Sequence, residues 1–593
     1  MPTFNSASIL AERWIQQNRH NHLLLRQFLK AFPKGADLHS HASGDIYAED
    51  YLYWGAKNGY CADRDSFSVV SQKECGSNSK IIPLETVIQD QSLYKQFIDA
   101  WSTRFSGGHD KFFDAFGLFG ALPSKAGSLL SIPLARRIDN QVQYLEYMIT
   151  FGGSELKKWS KDLEWHDDFD KQYRKVNEFM PDVLEAAKLE LQDLKLGLKK
   201  QLGCQPVSSV GSKNGCELNI RFLQQINRTR DPQSVFSQFA LAFALADQID
   251  EIVGLNLVAP EDDDVALRDY SLHMKMVRFF RRLFPSVHVS LHAGELVPGL
   301  VDEKDLLFHI DEAVNIAEAE RIGHGVDILG EKESQELLNI MSGREVLVEI
   351  CLTSNEVILD VQNQGHPFNA YLKAGIPMAL ATDDAGISGI DLTHEFQLAL
   401  ERYRLSYEDL QNFAKQSLKY SFLNQKEKQY HLSELNQNLR EFELLFKAKK
   451  IVPYRADLLG TQIGRNRSEL MNTTKEIDAL FGRGGNDTLN GSLANDNILN
   501  GGRDHDYIVA EGGSNTLVGG IGNDTIVAGE GKDLIVLSSK GGKDVIYNFD
   551  FKDDEMQLIG SGNSIHLEEH DDIIHVINKK DGKILAYLID SNN

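Results

Sequence analysis

From Gly35 onward, short apolar runs alternate with long amphipathic stretches. Eight of these runs read as candidate strands, near residues 35–41, 142–150, 217–223, 252–258, 286–292, 320–325, 345–351 and 376–383. Between them, Asp182 to Lys200, Pro232 to Ile249 and Asp302 to Glu320 carry apolar residues at helical spacing. Eight strand-helix alternations predict a parallel (β/α)8 barrel of the TIM type, whose site forms at the C-terminal ends of the strands. Residues 5 to 32 predict one or two N-terminal helices that stop at Pro33. The first gap, roughly 42 to 141, is too long for one crossover and predicts a helical insertion carrying Cys61 and Cys75. Helical patterning resumes from Thr393 to Lys450.

After residue 450 the pattern changes. Ile451 to Arg467 is mixed and polar and reads as a linker, and from Gly482 to Gly531 glycine, asparagine and aspartate dominate. Asp487, Asp496, Asp506, Asn515, Asp524 and Asp533 fall nine or ten residues apart, each preceded by a glycine-rich turn and followed by aliphatic residues. This is the spacing of calcium-binding RTX repeats, in which glycine permits the tight turn, Asp and carbonyl oxygens offer hard ligands to Ca²⁺, and the aliphatic residue points inward. Asp487, Asp496, Asp506, Asp524 and Asp533 are the candidate calcium ligands, and the region predicts an all-β parallel β-roll. From Gly482 to Asn593, about 19 acidic and about 9 basic residues leave a net charge near −10. Calcium is therefore expected to relieve repulsion that opposes folding. The expected organisation is 1–34 N-terminal helices, 35–450 barrel, 451–475 linker and 476–593 β-roll with a C-terminal secretion region.

Composition narrows the partners. The 593 residues carry a formal charge of −24, which argues against nucleic acid or an anionic membrane as partner. No run approaches the roughly 18 apolar residues of a membrane span. The stretch Met1 to Leu25 carries Glu12, Arg13 and Arg19 where a cleaved secretory signal would be apolar. Cys61 with Cys75 and Cys204 with Cys216 suit two local disulfides, leaving Cys351 as a buried thiol, although sequence spacing equally allows five unpaired thiols.

Four segments at strand ends carry chemistry. In Asp37-Leu38-His39-Ser40-His41 the two histidines stand at i and i+2, facing one side of a strand. In Leu291-His292-Ala293-Gly294-Glu295, Gly294 allows a turn that returns Glu295 over the same place. Arg321-Ile322-Gly323-His324-Gly325 sets a histidine between glycines, and Ala381-Thr382-Asp383-Asp384 ends a strand with adjacent carboxylates, which repel unless their roles differ.

Taken together, at strands 1, 5, 6 and 8, these segments resemble the adenosine deaminase family of the amidohydrolase superfamily, and especially its secreted, growth-factor-related branch. The resemblance runs over roughly residues 30 to 445 and includes Lys34 to Gly44, Thr353-Ser354-Asn355, His366-Pro367 and Ser421-Phe422. It implies that His39, His41, His292 and Asp383 hold zinc, that His324 orients the attacking hydroxide, and that Glu295 donates a proton to purine N1. Asp384 would accept a hydrogen bond near N7, and Ala259 would line the purine site. Ala259 stands where the family usually has glycine, so its methyl group is expected to crowd the purine edge; Ala385 replaces a frequent proline.

The implied reaction is hydrolytic deamination of adenosine or 2′-deoxyadenosine to inosine and ammonia. Alternatives are deamination of adenine or a modified adenosine, or a non-catalytic extracellular nucleoside-binding protein. The deaminase class with His-x-Glu and Pro-Cys-x-x-Cys ligands lacks its cysteine pair here. The repeats resemble those of bacterial proteins exported in one step by type I machinery, so an extracellular location is expected, and a homodimer through the N-terminal helices is implied by the family.

Overall fold

The computed structural model describes residues 6–207, 218–447, 451, 461–464, 467–474, 479–491, 497–538, 541–559, 565–570, 573–579 and 581–589. Cys216 and Asp496 lie outside the described residues, as does most of the expected linker. Two compact units emerge, one of residues 15–436 and one of residues 1–14 with 437–593.

In the first unit, parallel strands β1 (Gly35–His41), β2 (Val142–Ile149), β3 (Asn219–Asn227), β4 (Ile252–Val258), β5 (His288–Ala293), β6 (Arg321–His324), β7 (Leu347–Ile350) and β8 (Met378–Leu380) follow one another in spatial as in chain order. The ring closes where Ser40 pairs in parallel with Asp383, the Asp383 N–H donating to the His39 carbonyl (2.9 Å) and the His41 N–H to the Asp383 carbonyl (3.2 Å). Every β1 side chain is buried, including Asp37, His39 and Ser40.

Burying so many polar groups requires partners. Arg137, from the helix Gly127–Asp139, supplies them. Its guanidinium pairs with Asp37 and donates to Asp45 (2.8 Å), Ser40 (2.9 Å) and Thr382 (2.9 Å). One buried cation therefore fastens β1 to the end of β8, where the barrel closes.

The first gap holds more than helices. A three-stranded antiparallel sheet (Cys61–Asp63, Val69–Val70, Ile81–Pro83) sits among them, with Cys61 bonded to Cys75. Cys351 is a buried free thiol, as expected. The stretch expected to be helical from Asp302 to Glu320 is instead a 3₁₀ turn (Glu303–Leu306) and a short helix (His309–Asn315). The buried Glu331 carboxylate takes the N–H groups of Ile310 and Asp311 (2.5 and 3.3 Å), starting the helix late, and Glu318, at φ 56°, lies outside helical space. From Leu392 to Lys447 the helical pattern resolves into three helices.

In the second unit, successive strands alternate between two sheets. One stacks Thr461–Ile463, Ala479–Arg483, Ile498–Arg503, Thr516–Ile521, Leu534–Ser538 and Glu555–Ile559 in parallel; the other stacks Leu470–Asn472, Thr488–Asn490, Tyr507–Val509, Thr525–Val527, Asp544–Tyr547 and Ile584–Ile589 in parallel, then adds Ile573–Asn578 and Ile565–His570 antiparallel. This is a β-roll. Leu480, Leu499, Leu517 and Ile535 from one sheet meet Leu489, Ile508, Ile526 and Ile546 from the other in a buried spine. Each turn adds one such pair, and each buried side chain contributes about 1.5–3 kcal/mol. No turn could bury its pair alone.

The Arg137 cluster yields a prediction. Arg137→Ala leaves the Asp37 and Asp45 carboxylates buried without their cation, and is expected to destabilise the barrel by about 3–5 kcal/mol, read from denaturant unfolding beside the unchanged chain.

Candidate active site

The C-terminal ends of the barrel strands bring His39 and His41 (β1), His292 (β5) and Asp383 (just after β8) together. One ligand atom from each lies within 4.8 Å of the others, and all four residues are buried. Nε2 of His41 is 3.3 Å from Nε2 of His292 and 3.2 Å from Asp383 Oδ1; Nε2 of His39 is 3.4 Å from the same oxygen. Imidazole nitrogens and a carboxylate packed this closely, out of water, suit a divalent cation of the zinc type. The His39 Nε2 atom is buried with no hydrogen-bond partner, so this donor set fits a metal.

The imidazoles are aimed from behind. His39 Nδ1 lies 2.6 Å from the Glu349 carboxylate, which can only accept, so the lone pair of His39 is on Nε2 facing the cluster. Glu349 is itself held by Arg321 (2.7 Å) and Ser290 (3.0 Å), and Arg321 is held by Glu146 (2.6 Å). His292 Nδ1 is 2.8 Å from Asn256 Oδ1, and His41 Nδ1 is 2.8 Å from the Gln225 amide. Ser354 donates to Asp383 Oδ2 (2.6 Å). Gly323 is needed for contact: a Cβ there would come 2.7 Å from the His39 ring.

Electrostatics separate the two aspartates. Although burial opposes it, the histidines beside Asp383 hold its carboxyl well below the usual range. Burial, then the charge of Asp383, pushes Asp384 well above it. Burial, with the charges of Asp383 and Glu261, likewise raises Glu295 well above the carboxylate range. Burial lowers His324 to about 3.

Glu295 is positioned by another carboxylate. Glu261 accepts the N–H groups of Gly294 (3.1 Å) and Glu295 (2.8 Å) while pairing with His309 (2.6 Å), and Gly294 takes φ 71°, the turn read from the sequence. Glu295 Oε1 then lies 3.4 Å from His324 Nε2.

The tautomer of His324 follows from a chain of donors that begins at the backbone. The Phe368 N–H donates to His366 Nδ1 (3.1 Å), so the neutral His366 carries its proton on Nε2, 3.1 Å from Asn355 Oδ1. The Asn355 amide nitrogen is thereby turned to His324 Nδ1 (2.9 Å), and the His324 proton sits on Nε2, facing Glu295. Burial lowers His366 to about 4, which keeps it neutral.

These groups open on a cavity of about 440 Å³ lined by Phe112, Phe113 and Phe116 from the insertion, by Gln225, Asn227 and Ile358, and by Ala259 beside His41, His292, Glu295, Asp383 and Asp384. Ala259, His324 and Asp383 all lie at positive φ (80°, 67° and 54°), so three residues of this site hold strained backbone. Thus all eight barrel residues singled out in the sequence converge here. The sequence reading assigned nothing to Glu349, Asn256 or Gln225. The signal was present for two of them, since Glu349 and Asn256 are polar residues inside otherwise apolar strands; β3 runs on to Asn227, beyond the expected end at 223, and this extension carries Gln225 to the site.

The adenosine deaminase family model matches residues 205–438, and the model of the RTX calcium-binding nonapeptide repeat matches 463–498, 472–508 and 500–535. An adenosine deaminase of Escherichia coli O157:H7 is 32% identical over 142 residues, 24% of this chain and 39% of that protein, so the chain spans about two fifths of the length of the relatives it matches. Similar solved structures include an N6-methyl-AMP deaminase from Arabidopsis thaliana (19% identity, TM-score 0.48, 70% of this chain and 99% of that one) and an adenine deaminase from Arthrobacter aurescens (16%, 0.46, 69% and 99%). By sequence match, then, residues 205–438 of this chain form a segment similar to the adenosine deaminase family, followed by segments that match RTX calcium-binding repeats.

Proposed function

We propose that the barrel hydrolyses adenosine or 2′-deoxyadenosine to inosine, or its 2′-deoxy counterpart, and ammonia, with zinc held by His39, His41, His292 and Asp383. The observation that carries this reading is the convergence of those four buried ligand atoms beside a cavity that Glu295 and Asp384 line, with His324 next to Glu295. Bound there, zinc would supply Lewis-acid activation of the water that attacks.

The chain's own residues divide the remaining work. An exocyclic amine leaves poorly from a purine, so C6 must be made electrophilic as it is attacked. Burial beside Asp383 and Glu261 raises the Glu295 carboxyl well above the usual range, which favours the protonated form that gives its proton to ring N1. His324, neutral and protonated on Nε2, donates to the incoming oxygen and orients it. Asp384 also keeps its proton. N7 of a purine offers only a lone pair, so the Asp384 hydroxyl donates to it, the reverse of the direction expected from the sequence. The three phenylalanines supply apolar surface for a base and exclude water.

Among the described residues lining the cavity there is no lysine or arginine, while Glu295, Asp383 and Asp384 are present. This favours a nucleoside or free base over a nucleotide. The ribose-bearing substrate is preferred because Gln225, Asn227 and Ser43 ring the same cavity as hydroxyl partners. For the second unit, we propose that the repeats bind Ca²⁺ and that the protein acts outside the cell after export by type I machinery, which the RTX match supports. Among the described residues no helix is long and apolar enough to cross a membrane.

A panel of adenosine, 2′-deoxyadenosine, adenine, N6-methyladenosine and AMP, assayed for released amine with and without a zinc chelator, tests the reading. Adenosine is expected to lead and AMP to be slower by at least about 100-fold in kcat/KM, since no lysine or arginine among the described lining residues compensates the phosphate charge. Release from none of them by metal-loaded protein would sink the catalytic proposal. Glu295→Gln is expected to keep its metal and lose about 10²–10⁴-fold in kcat. Glu349→Gln, by contrast, should weaken metal affinity about 10–100-fold, measured by competition with a chromogenic chelator.

A further inference from the structure

The roll has two edges, because the chain crosses between its sheets at two bends per turn. Along one edge Asp487, Asp506, Asp524 and Asp544 introduce the strands of the second sheet; along the other Asn497, Asn515, Asp533 and Asp554 introduce those of the first. Asn497 stands in the second series. Both edges form the same ladder. Each side-chain Oδ1 accepts the N–H of its counterpart one turn earlier: Asp487 to Asp506 (2.9 Å), Asp506 to Asp524 (2.9 Å) and Asp524 to Asp544 (3.0 Å) on one edge, and Asn497 to Asn515 (2.9 Å), Asn515 to Asp533 (2.8 Å) and Asp533 to Asp554 (2.8 Å) on the other.

The edges differ in what the remaining side-chain atom meets. On the first, Oδ2 of Asp487 and of Asp506 is buried and accepts no hydrogen bond, in residues only 1% and 3% exposed. A Cβ on Gly482 or Gly501 would stand 2.2 Å from those oxygens, so each lies hard against a glycine bend. Carboxylates stacked one strand spacing apart, about 4.8 Å, repel strongly out of water.

On the second edge Asp533 and Asp554 have no oxygen left over. Asp533 Oδ2 accepts the Gly529 N–H (2.9 Å), and Asp554 Oδ2 accepts the Asp550 N–H (2.8 Å). At Asn515 the amide nitrogen donates to the carbonyls of Gly512 (3.2 Å) and Gly513 (3.1 Å) and to Asp533 Oδ1 (2.8 Å). These oxygens are the hard donors a cation would use, and an uncharged N–H₂ already occupies the space between them.

We propose that the roll is one-sided: Ca²⁺ binds along the edge of Asp487 and Asp506, while the amide of Asn515 substitutes for the cation on the opposite edge, whose carboxylate at Asp533 is saturated by the protein itself. The proposal rests on the calcium reading of the repeats and adds which bends take the ion. The first edge would then fold only as calcium neutralises its stacked charges, whereas at Asn515 and Asp533 the protein's own donors take the place of the ion.

The test uses the full-length chain, its Asp506→Asn variant and its Asn515→Asp variant, each dialysed to equilibrium against CaCl₂ and analysed for bound calcium by atomic emission, with anomalous diffraction on calcium-soaked wild-type crystals. Asp506→Asn is expected to bind fewer ions than wild type and to need about tenfold more calcium for half-saturation; Asn515→Asp is expected to bind at least as many as wild type. Anomalous peaks are expected beside Asp487 and Asp506. Peaks between Asn515 and Asp533 in the wild type, or an unchanged ion count in Asp506→Asn, would overturn the one-sided roll while leaving calcium binding intact. A wild-type chain that binds no calcium would overturn both readings. The wild-type peaks decide the matter even where a variant fails to fold.

Discussion

Closure of the barrel between β1 and β8 is the constraint on which the site depends. Two backbone hydrogen bonds link Asp383 to the carbonyl of His39 and the amide of His41, groups more than 340 residues apart in the chain. This fixes a carboxylate between two imidazoles without any direct contribution from the residues in between. The seam is secured beneath by Arg137, whose guanidinium answers the buried charges of Asp37 and Asp45 and touches Ser40 and Thr382 on either side. A parallel barrel has no sheet edge, so once β1 and β8 meet, every strand end has a fixed position around one mouth.

Rigidity at the mouth is then built by carboxylates that never reach the cavity. Glu349 aims His39, Glu261 holds the loop bearing Glu295, and Glu331 starts the helix that carries His309, itself the partner of Glu261. Glu349 and Glu261 have their oxygens satisfied by cations, imidazoles, a hydroxyl or backbone N–H groups, the condition under which a buried charge is tolerated, whereas Glu331 engages one oxygen only. The groups beside the cluster differ. Glu295 Oε1, His324 Nε2 and Asp384 Oδ1 are buried and without hydrogen-bond partners, which is the cost of keeping them ready for a ligand.

The roll solves a related problem with different means. It has no long-range closure. Each turn rests on the one before it, through a parallel ladder, an aliphatic pair and a side-chain oxygen that takes the next backbone N–H. Aspartate and asparagine serve the ladder equally well because both present Oδ1. They differ only in the atom left over, and that difference separates an edge needing a cation from one that does not.

The periodicity of the sequence determined most of the architecture: eight strand positions, the abrupt change of composition after residue 450 and the nine- or ten-residue repeat follow from alternation of apolar and polar residues, a local property. The four motifs also named their residues, since His, Glu and Asp at strand ends are conspicuous in short apolar surroundings. What the sequence could not disclose is which distant groups share a hydrogen bond. Asn355 turned toward His324 by His366, Glu349 behind His39, the broken helix at Phe308 and the ladder running through Asn497 all depend on contacts made after the chain has folded back on itself. A residue's local pattern sets which face it occupies; only tertiary packing sets what stands opposite, and with it the tautomers, the raised and lowered pKa values and the ligand that each site can take.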